Sequence, residues 1–372
     1  MRSPFRYEEP VAREDLVDRL DELEFLRDRA LDGRNSRLEA PRRFGKTSLL
    51  RAALATVADD GAVAIEVNFL GCVTAADVAQ RIERAYAAQL DSRLRRWYDG
   101  LVRTLHPTLV AAPAGVGVKA QPRGAVPGLL DRLALPRRVM ERSGRRCVIA
   151  FDEFQEVVRV DAALPGTFRA ELEGQGEAAA YIFCGSHPGL MRDLFSDRRH
   201  AFFAQAAPLA LGPLPADALA DFVAGRFAAG RREAGEALGP LLDAAAGHPQ
   251  RAMLLAHHLY GRLGPGGSAG IEDWLDALHG ARIEARGEIE VLWDSSTGLE
   301  RRALKLIADR TVPLSGREAD IRFGLSKGSS VQAAVDRLIA EGHLVRDAGT
   351  RTGWRVVDPF LESWLREPET WA

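Results

Sequence analysis

Two kinds of hydrophobic periodicity alternate along the first 210 residues of the chain. Short apolar runs typical of buried strands cover residues 37–40, 62–69, 146–153 and 178–186. Between them, apolar side chains recur every three or four positions, which predicts helices. Strands that alternate with helices form a parallel sheet with right-handed crossovers, so we predict an α/β fold. Arg37 and Glu39 are polar for a strand buried on both faces, which leaves the extent of the first strand open.

The helices predicted in this part cover residues 7–30, 48–57, 75–90 and 126–143. Residues 91–128 have a different pattern. Leu94, Trp97, Leu101 and Leu105 predict one more helix, which is followed by a stretch rich in Pro, Gly and Ala with little periodicity. The segment is either an insertion or mobile lid over a site, or a solvent-exposed loop.

After Leu211 the helical period dominates. Helices are predicted over residues 217–226, 236–246, 250–263 and 271–293. Three further helices, at 299–309, 315–322 and 329–341, precede an alternating segment at 344–357 that resembles a hairpin. Helices followed by a hairpin describe a winged helix. We therefore predict three domains: residues 1–210, a helical lid with its connecting helix at 211–294, and a winged helix at 295–372.

Composition narrows the function only slightly. With 46% hydrophobic and 27% charged residues, the chain has an ordinary globular composition, and a net charge of −2 gives no global case for nucleic-acid binding. No apolar run reaches the roughly 18 residues of a membrane span, and the N-terminus lacks a signal-peptide core, so we expect a cytoplasmic protein without a membrane partner. Cys72, Cys147 and Cys184 lie far apart, which predicts buried thiols rather than disulfides or zinc ligands.

Residues 40–48, which join the first predicted strand to a helix, have the pattern of a phosphate-binding loop. A phosphate-binding loop needs a Gly for close backbone approach, a Lys for the β- and γ-phosphates and a hydroxyl for Mg²⁺. Gly45, Lys46 and Thr47 fit these roles, while Ala40 stands where the first Gly is expected. Backbone N–H groups of the loop and of the helix N-terminus favour an anion. The residues assigned to the loop are Ala40, Pro41, Arg42, Arg43, Phe44, Gly45, Lys46, Thr47 and Ser48.

Polar residues end three of the predicted strands, and parallel strands gather such residues at one sheet edge. Asp152 is predicted to hold Mg²⁺ with Thr47, and Glu153 to orient or deprotonate the attacking water. Ser186 either senses the γ-phosphate or only ends its strand. Asn68 either holds Glu153 inactive or is a turn residue.

With these residues, the chain resembles prokaryotic P-loop ATPases of the AAA+/STAND group, in particular the archaeal-type ATPase family with a C-terminal winged helix. The likeness covers most of the chain and is carried by five stretches: APRRFGKTSLL, CVIAFDEFQEV, IFCGSHPGLMRDLF, GHPQRAMLLAHHLY and the segment from LERRALKLIADR to DPFLESWLRE. The resemblance implies a sheet in which the Ser186 strand lies between the loop strand and the Asp152 strand. It also implies that the turn Gly247, His248 and Pro249 touches the nucleotide. No arginine stands at the offset expected for a second sensor.

Three functions follow as hypotheses. The first is an ATP-binding and ATP-hydrolysing switch that couples ATP or ADP to the winged helix, with nucleotide-dependent homo-oligomerisation left open. The alternative is a DNA-binding regulator whose nucleotide site mainly controls assembly, and the third is a scaffold without turnover. A DNA reader would use Ser329, Ser330, Gln332 and Arg337 on bases and Lys327, Arg346, Arg351 and Arg355 on phosphates, whereas the same domain could bind protein. Arg192, Arg198, Arg199 and Arg251 are either arginines that reach a neighbouring nucleotide or surface residues.

Overall fold

The structure is a computed structural model that describes residues 3–105, 127–325 and 329–371. Its sheet has five parallel strands in the order β2-β3-β4-β1-β5. The strands are β1 (Ser36–Glu39), β2 (Val63–Asn68), β3 (Cys147–Asp152), β4 (Ala179–Gly185) and β5 (Ala207–Ala210). The four predicted strands are confirmed within one or two residues, and β4 lies between β1 and β3 as the resemblance implied. The short edge strand β5 was not predicted.

Helices cover the sheet on both faces and connect its strands. They are α1 (Leu20–Leu31), α2 (Lys46–Asp59), α3 (Ala75–Gln89), α4 (Ser92–Leu105), α5 (Pro127–Leu133), α6 (Leu135–Ser143), α7 (Glu156–Val160), α8 (Leu164–Leu172) and α9 (Pro188–Ser196). The predicted helix at 126–143 is two helices, and α6 begins with a proline in its first turn. Most of the Pro- and Gly-rich part of segment 91–128 lies outside the described residues.

Four α-helices follow the sheet and form the lid. They are α10 (Ala216–Ala229), α11 (Leu238–Ala245), α12 (Pro249–Arg262) and α13 (Ile271–Ser295), with a 3-10 turn at Gly235–Ala237. Their buried side chains include Leu254, Leu255 and Ile289. Among the described residues, no helix is both long and apolar enough to cross a membrane.

The C-terminal part is a winged helix, as predicted. It comprises α14 (Gly298–Asp309), α15 (Arg317–Phe323), α16 (Ser329–Ala340), the antiparallel pair β6 (Leu344–Arg346) and β7 (Trp354–Val356), α17 (Pro359–Arg366) and a 3-10 turn at Pro368–Trp371. Helix α17 was not predicted as an element. Its Phe360 lies in the same hydrophobic cluster as Leu254 and Leu304, so the lid and the winged helix share one continuous core.

Residues 3–19, which we call the N-terminal strap, contradict the prediction of a helix starting at residue 7. Helix α1 begins only at Leu20, and the strap contains just one 3-10 turn, Arg13–Asp15. Phe5 is 2% exposed and packs in the lid against Phe227 and Tyr260. The N–H of Val11 donates to Ser48 Oγ at 3.1 Å. These tertiary contacts outweigh the local helical periodicity.

Candidate nucleotide site

A cavity of about 950 Å³ opens at the carboxyl edge of the sheet. Its walls come from the strap, the loop after β1, the residues that follow β2, β3 and β4, and the first turn of α12. Ligand sites in parallel sheets lie at this edge, and the volume is in the upper range of small-molecule sites. The topology therefore brings residues 42–48 of the sequence-predicted loop, Glu153 and Ser186 to one cavity, whereas Asp152 and Asn68 do not line it.

The loop after β1 leads directly into the N-terminus of α2. Gly45 has a φ of +82° and precedes the first residue of α2, Lys46. The first N–H groups of a helix have no intrahelical partner, which favours an anion there. The Lys46 Nζ donates to the carbonyl oxygens of Ala40 and Pro41 at 2.9 and 2.8 Å. Burial lowers the pKa of Lys46, while the nearby carboxylates of Glu153 and Asp152 act in the opposite direction.

Asp152 ends β3 and is 3% exposed. Its Oδ2 accepts a hydrogen bond from Asn68 Nδ2 at 3.2 Å, and its Oδ1 accepts one from the N–H of Glu153 at 3.0 Å. Burial and the adjacent Glu153 raise the pKa of Asp152. Asn68 also accepts a hydrogen bond from the N–H of Leu70, so it is a turn residue that contacts Asp152 rather than Glu153. The hypothesis that Asn68 holds Glu153 is therefore wrong for this conformation.

Glu153 has a φ of +54°, which is uncommon for a residue other than glycine. Its Oε2 accepts from Ser186 Oγ at 2.7 Å, from the N–H of Ser186 at 3.4 Å and from Gln155 Nε2. Burial alone would raise the pKa of Glu153, but these hydrogen bonds and the charge of Lys46 outweigh it and lower the pKa. The carboxylate is thus held ionised beside the loop lysine.

The three residues of the lid turn that was predicted to touch the nucleotide, Gly247, His248 and Pro249, lie in different environments. Pro249 lines the cavity. His248 is buried behind it, where its ring packs edge-on against Phe44 of the loop at 4.9 Å between centroids. Its Nδ1 accepts from the N–H of Arg251 and caps α12, and burial lowers its pKa to about 4. Gly247 has a φ of +73°, and a Cβ there would lie 2.6 Å from the carbonyl oxygen of Leu214, so only glycine fits.

Four charged residues connect the loop, the lid and the winged helix, and we call them the ion network. Glu288 of α13 accepts from Arg43 of the loop and, at 3.3 Å, from Arg251 of α12. Arg251 also binds both carboxylate oxygens of Asp358, at 3.0 Å from Nε to Oδ1 and 2.5 Å from Nη2 to Oδ2. Arg251 is 1% exposed, so it is neither a surface residue nor placed to reach a neighbouring nucleotide. Sequence reasoning missed this network because its members lie far apart in the chain.

The winged helix also rests directly on the nucleotide-binding part. Helix α16 packs against α9, and a Cβ on Gly189 would lie 2.5 Å from the Cα of Ala340. A Cβ on Gly342 would lie 3.3 Å from Pro188 and 3.8 Å from the Cα of Pro41, which is in the loop. The turn between α16 and β6 therefore lies close to both the loop and the start of α9.

The arginines predicted for DNA contacts have partners within the chain. Arg337 donates to Glu300 at 2.6 Å, Arg355 lies 3.4 Å from Asp347, and Arg351 donates to the carbonyl oxygen of Thr311 at 3.1 Å. Two more of the candidates make local contacts: Arg346 lies over the ring of Trp354, and Gln332 donates to Asp336. Ser330 is exposed, and Lys327 and the Ser329 side chain lie outside the described residues.

The comparison with solved structures supports the fold, whereas the two comparisons of sequence found no match. No family model and no curated protein sequence matches the chain. Among solved structures, the Walker-type ATPase PABY2304 of Pyrococcus abyssi matches with a TM-score of 0.69 and 19% identity, over 97% of this chain and 99% of that one. The ORC2 protein of Aeropyrum pernix, as ADPNP-ADP complexes, matches with a TM-score of 0.60 and 16% identity, over 99% and 98%. The fold is therefore that of a P-loop ATPase with a helical lid and a C-terminal winged helix.

Proposed function

We propose that the protein binds ATP with Mg²⁺, hydrolyses it, and uses the bound nucleotide to control the position of its winged helix. The convergence of Lys46, Asp152, Glu153 and Ser186 carries the proposal. These residues come from three different strand ends and meet beside one cavity, as phosphoryl transfer requires. The Walker-type ATPase and the ORC2 complexes with ADPNP and ADP share this fold, which is consistent with nucleotide binding.

The oxygen donors fit Mg²⁺. The hydroxyl of Thr47 and the carboxylate of Asp152 are the kinds of ligand that this hard cation binds. A cation would also relieve the repulsion between Asp152 and Glu153, which, together with burial, raises the pKa of Asp152. When bound, Mg²⁺ supplies charge neutralisation on the phosphates.

Residues of the protein bind the phosphates, close the cavity and accept the proton. The loop N–H groups and Lys46 bind and orient the phosphates, and Pro249 of the lid closes one wall of the cavity. Glu153, ionised and held at the cavity wall, takes the proton of the attacking water.

Two contacts support the coupling to the winged helix. Arg43 lies in the loop that binds phosphate, yet its guanidinium is paired with Glu288 of the ion network. Phosphates compete with Glu288 for Arg43, and Glu288 in turn shares Arg251 with Asp358 of the winged helix. The turn between α16 and β6 lies close to the loop at Pro41, so a change in loop conformation is transmitted there as well.

Replacing the general base tests hydrolysis. Glu153→Gln should lower turnover by roughly 10²- to 10⁴-fold, the usual worth of a general base, with nucleotide affinity retained. Phosphate release and titration with a fluorescent non-hydrolysable ATP analogue measure the two quantities. Glu173→Gln is the control, because Glu173 follows α8 and pairs with Arg169 outside the cavity. Unchanged turnover in Glu153→Gln would contradict the assignment, and binding without any turnover in the wild type would favour the scaffold.

Sizing the protein tests the switch. We expect a larger hydrodynamic radius with the ATP analogue than with ADP, since the network is broken when phosphates bind Arg43. Dependence of the radius on protein concentration identifies a homo-oligomer, whereas a change independent of concentration identifies domain opening. Identical radii with both nucleotides would contradict a switch.

The occupied arginines of the winged helix favour a protein or intramolecular contact over DNA reading. Binding of duplex DNA to the full chain should therefore be weak, with little dependence of log K on log salt. A steep salt dependence would instead support the alternative, a DNA-binding regulator.

A further inference from the structure

Three hydrogen bonds from two residues converge on one oxygen of Glu153. Ser186 Oγ, the N–H of Ser186 and Gln155 Nε2 all donate to Oε2. Its Oε1 accepts no hydrogen bond from the described residues. The two oxygens of the carboxylate are therefore not equivalent.

Gln155 is built rigidly into this arrangement. It is 0% exposed, and its amide packs so closely on β4 that a Cβ on Gly185 would lie 2.4 Å from its Oε1. That Oε1 has no hydrogen-bond partner among the described residues. A carboxylate only accepts hydrogen bonds, so the amide N–H₂ must face Glu153, and leaving Oε1 unpaired has a free-energy cost. The fold keeps Gln155 in this orientation despite the unpaired Oε1, which indicates that its hydrogen bond to Glu153 is important for function.

Two further residues fix the direction of the Ser186 hydroxyl. Arg159 can only donate, and its Nη2 lies 3.2 Å from His187 Nε2. The proton of the neutral ring is then on Nδ1, which lies 3.3 Å from Ser186 Oγ and donates to it. Burial and the charges of Arg159 and Arg42 lower the pKa of His187, which agrees with a neutral ring. With one lone pair engaged by His187, the hydroxyl donates its proton to Glu153.

We propose that Gln155 and Ser186 clamp Oε2 of Glu153 so that Oε1 accepts the proton, while His187 and Arg159 keep the Ser186 hydroxyl pointing at Glu153. The inference rests on the proposed hydrolysis and deepens it. The water oxygen forms a bond to the γ-phosphorus and the water proton moves to Oε1. The bond between that phosphorus and the β–γ bridging oxygen breaks, and its electron pair leaves with ADP. Gln155, His187 and Arg159 are positioning residues, because they act through Glu153.

Gln155→Leu tests the clamp with a side chain of similar size that cannot donate. Hydrogen bonds to charged groups are strong enough that kcat should fall about 10- to 100-fold, with KM and the affinity for an ATP analogue within about 2-fold of wild type. Gln175→Leu is the matched control. Gln175 is also a buried glutamine, 2% exposed, but it bonds to Leu133, Glu171 and Tyr181 away from the cavity. Its variant should retain wild-type kcat.

A double-mutant cycle distinguishes positioning from a general structural effect. In the Glu153→Gln background, Gln155→Leu should have no further effect on kcat, because the group it positions is already inactive. Ser186→Ala enters the same cycle and keeps the test decisive if the leucine variant unfolds. Arg159→Met should lower kcat by roughly 2- to 10-fold in the wild type and have no effect in Ser186→Ala.

The outcomes separate the two proposals. Full turnover in both Gln155→Leu and Ser186→Ala, or equal losses with and without Glu153, overturns the clamp while leaving hydrolysis intact. Loss of analogue affinity instead of kcat also overturns it. Absence of phosphate release from the wild type, or full turnover in Glu153→Gln, overturns the proposed function itself.

Discussion

Removing the charge of Arg251 should weaken the attachment of the winged helix to the lid. Arg251→Met keeps most of the side-chain length but leaves Asp358 with one hydrogen-bond donor among the described residues, the N–H of Phe360 at 2.9 Å. Burial alone would raise the pKa of Asp358, and Arg251 outweighs that effect, so the pKa is lowered. Without Arg251, the carboxylate must either stay charged and unpaired or take up a proton.

The magnitude follows from burial. Losing one partner of a fully buried ion pair costs about 3–5 kcal/mol. The Arg251 side chain is 2% exposed but that of Asp358 is 26% exposed, so solvent reduces the cost. We therefore expect about 3 kcal/mol, at the low end of that range. In the double variant Arg251→Met with Asp358→Asn, the neutral amide still caps α17, and we expect all but about 1 kcal/mol to be recovered.

Amide hydrogen exchange of α17 in the full chain measures this loss locally, since the whole molecule need not unfold in one step. Protection of α17 should fall by about two orders of magnitude in the single variant, the equivalent of about 3 kcal/mol. It should largely return in the double variant. A double variant as poorly protected as the single one would refute the explanation by an unpaired charge, and a loss below about 1 kcal/mol would show that the pair contributes as little as a surface pair.

Three further predictions concern the lid turn at His248, the contact between α9 and α16, and the proposed magnesium site. Because burial lowers the pKa of His248 from 6.5 to about 4, its contribution to stability is complete above pH 6.5 and is lost as the pH falls to 4. Over that window the wild type should lose about 3 kcal/mol that His248→Asn does not, measured by thermal unfolding. Gly189→Ala should push the winged helix away, seen as a larger radius in X-ray scattering, because its Cβ would lie 2.5 Å from Ala340, whereas Gly166→Ala meets no atom within 4 Å and should change nothing. Asp152→Asn should raise the Mg²⁺ concentration for half-maximal turnover roughly 10- to 100-fold, and chelation should abolish phosphate release until Mg²⁺ is restored.

The strands and the loop could be predicted because their signals are local. Buried parallel strands are apolar throughout, and Asp152 ends such a run. The polar strand β1 was the difficult case, and the structure explains it. Arg37 and Glu39 lie on one face two residues apart and form an ion pair at 3.0 Å, and Arg37 also donates to Ser196. The two opposite charges attract each other inside the central strand, although Arg37 Nε and Glu39 Oε1 form no hydrogen bond with each other, and the rest of the Arg37 guanidinium is satisfied by Ser196.

The elements that sequence reasoning missed depend on distant contacts. The edge strand β5 contains Pro208, which a strand tolerates at a sheet edge. The strap has helical periodicity, yet Phe5 and Val11 are held by groups more than 30 residues away. Local sequence signals are enough to place the candidate residues of the site at one sheet edge, whereas the hydrogen-bond partners of Glu153 depend on how the chain turns after β3. Nothing local shows that Gln155 turns back towards Glu153.

The N-terminal strap sets a limit on the motion of the lid. It is anchored in the lid at Phe5 and on α2 at Val11. The five residues between these anchors leave six Cα–Cα steps, which span at most about 22 Å when fully extended. While both anchors hold, the lid can swing open only to that distance, enough to exchange a small molecule without separating the two parts. Wider opening would pull Phe5 away from Phe227 and Tyr260. The strap therefore limits the opening of the lid, and its detachment would expose these apolar side chains, which favours aggregation.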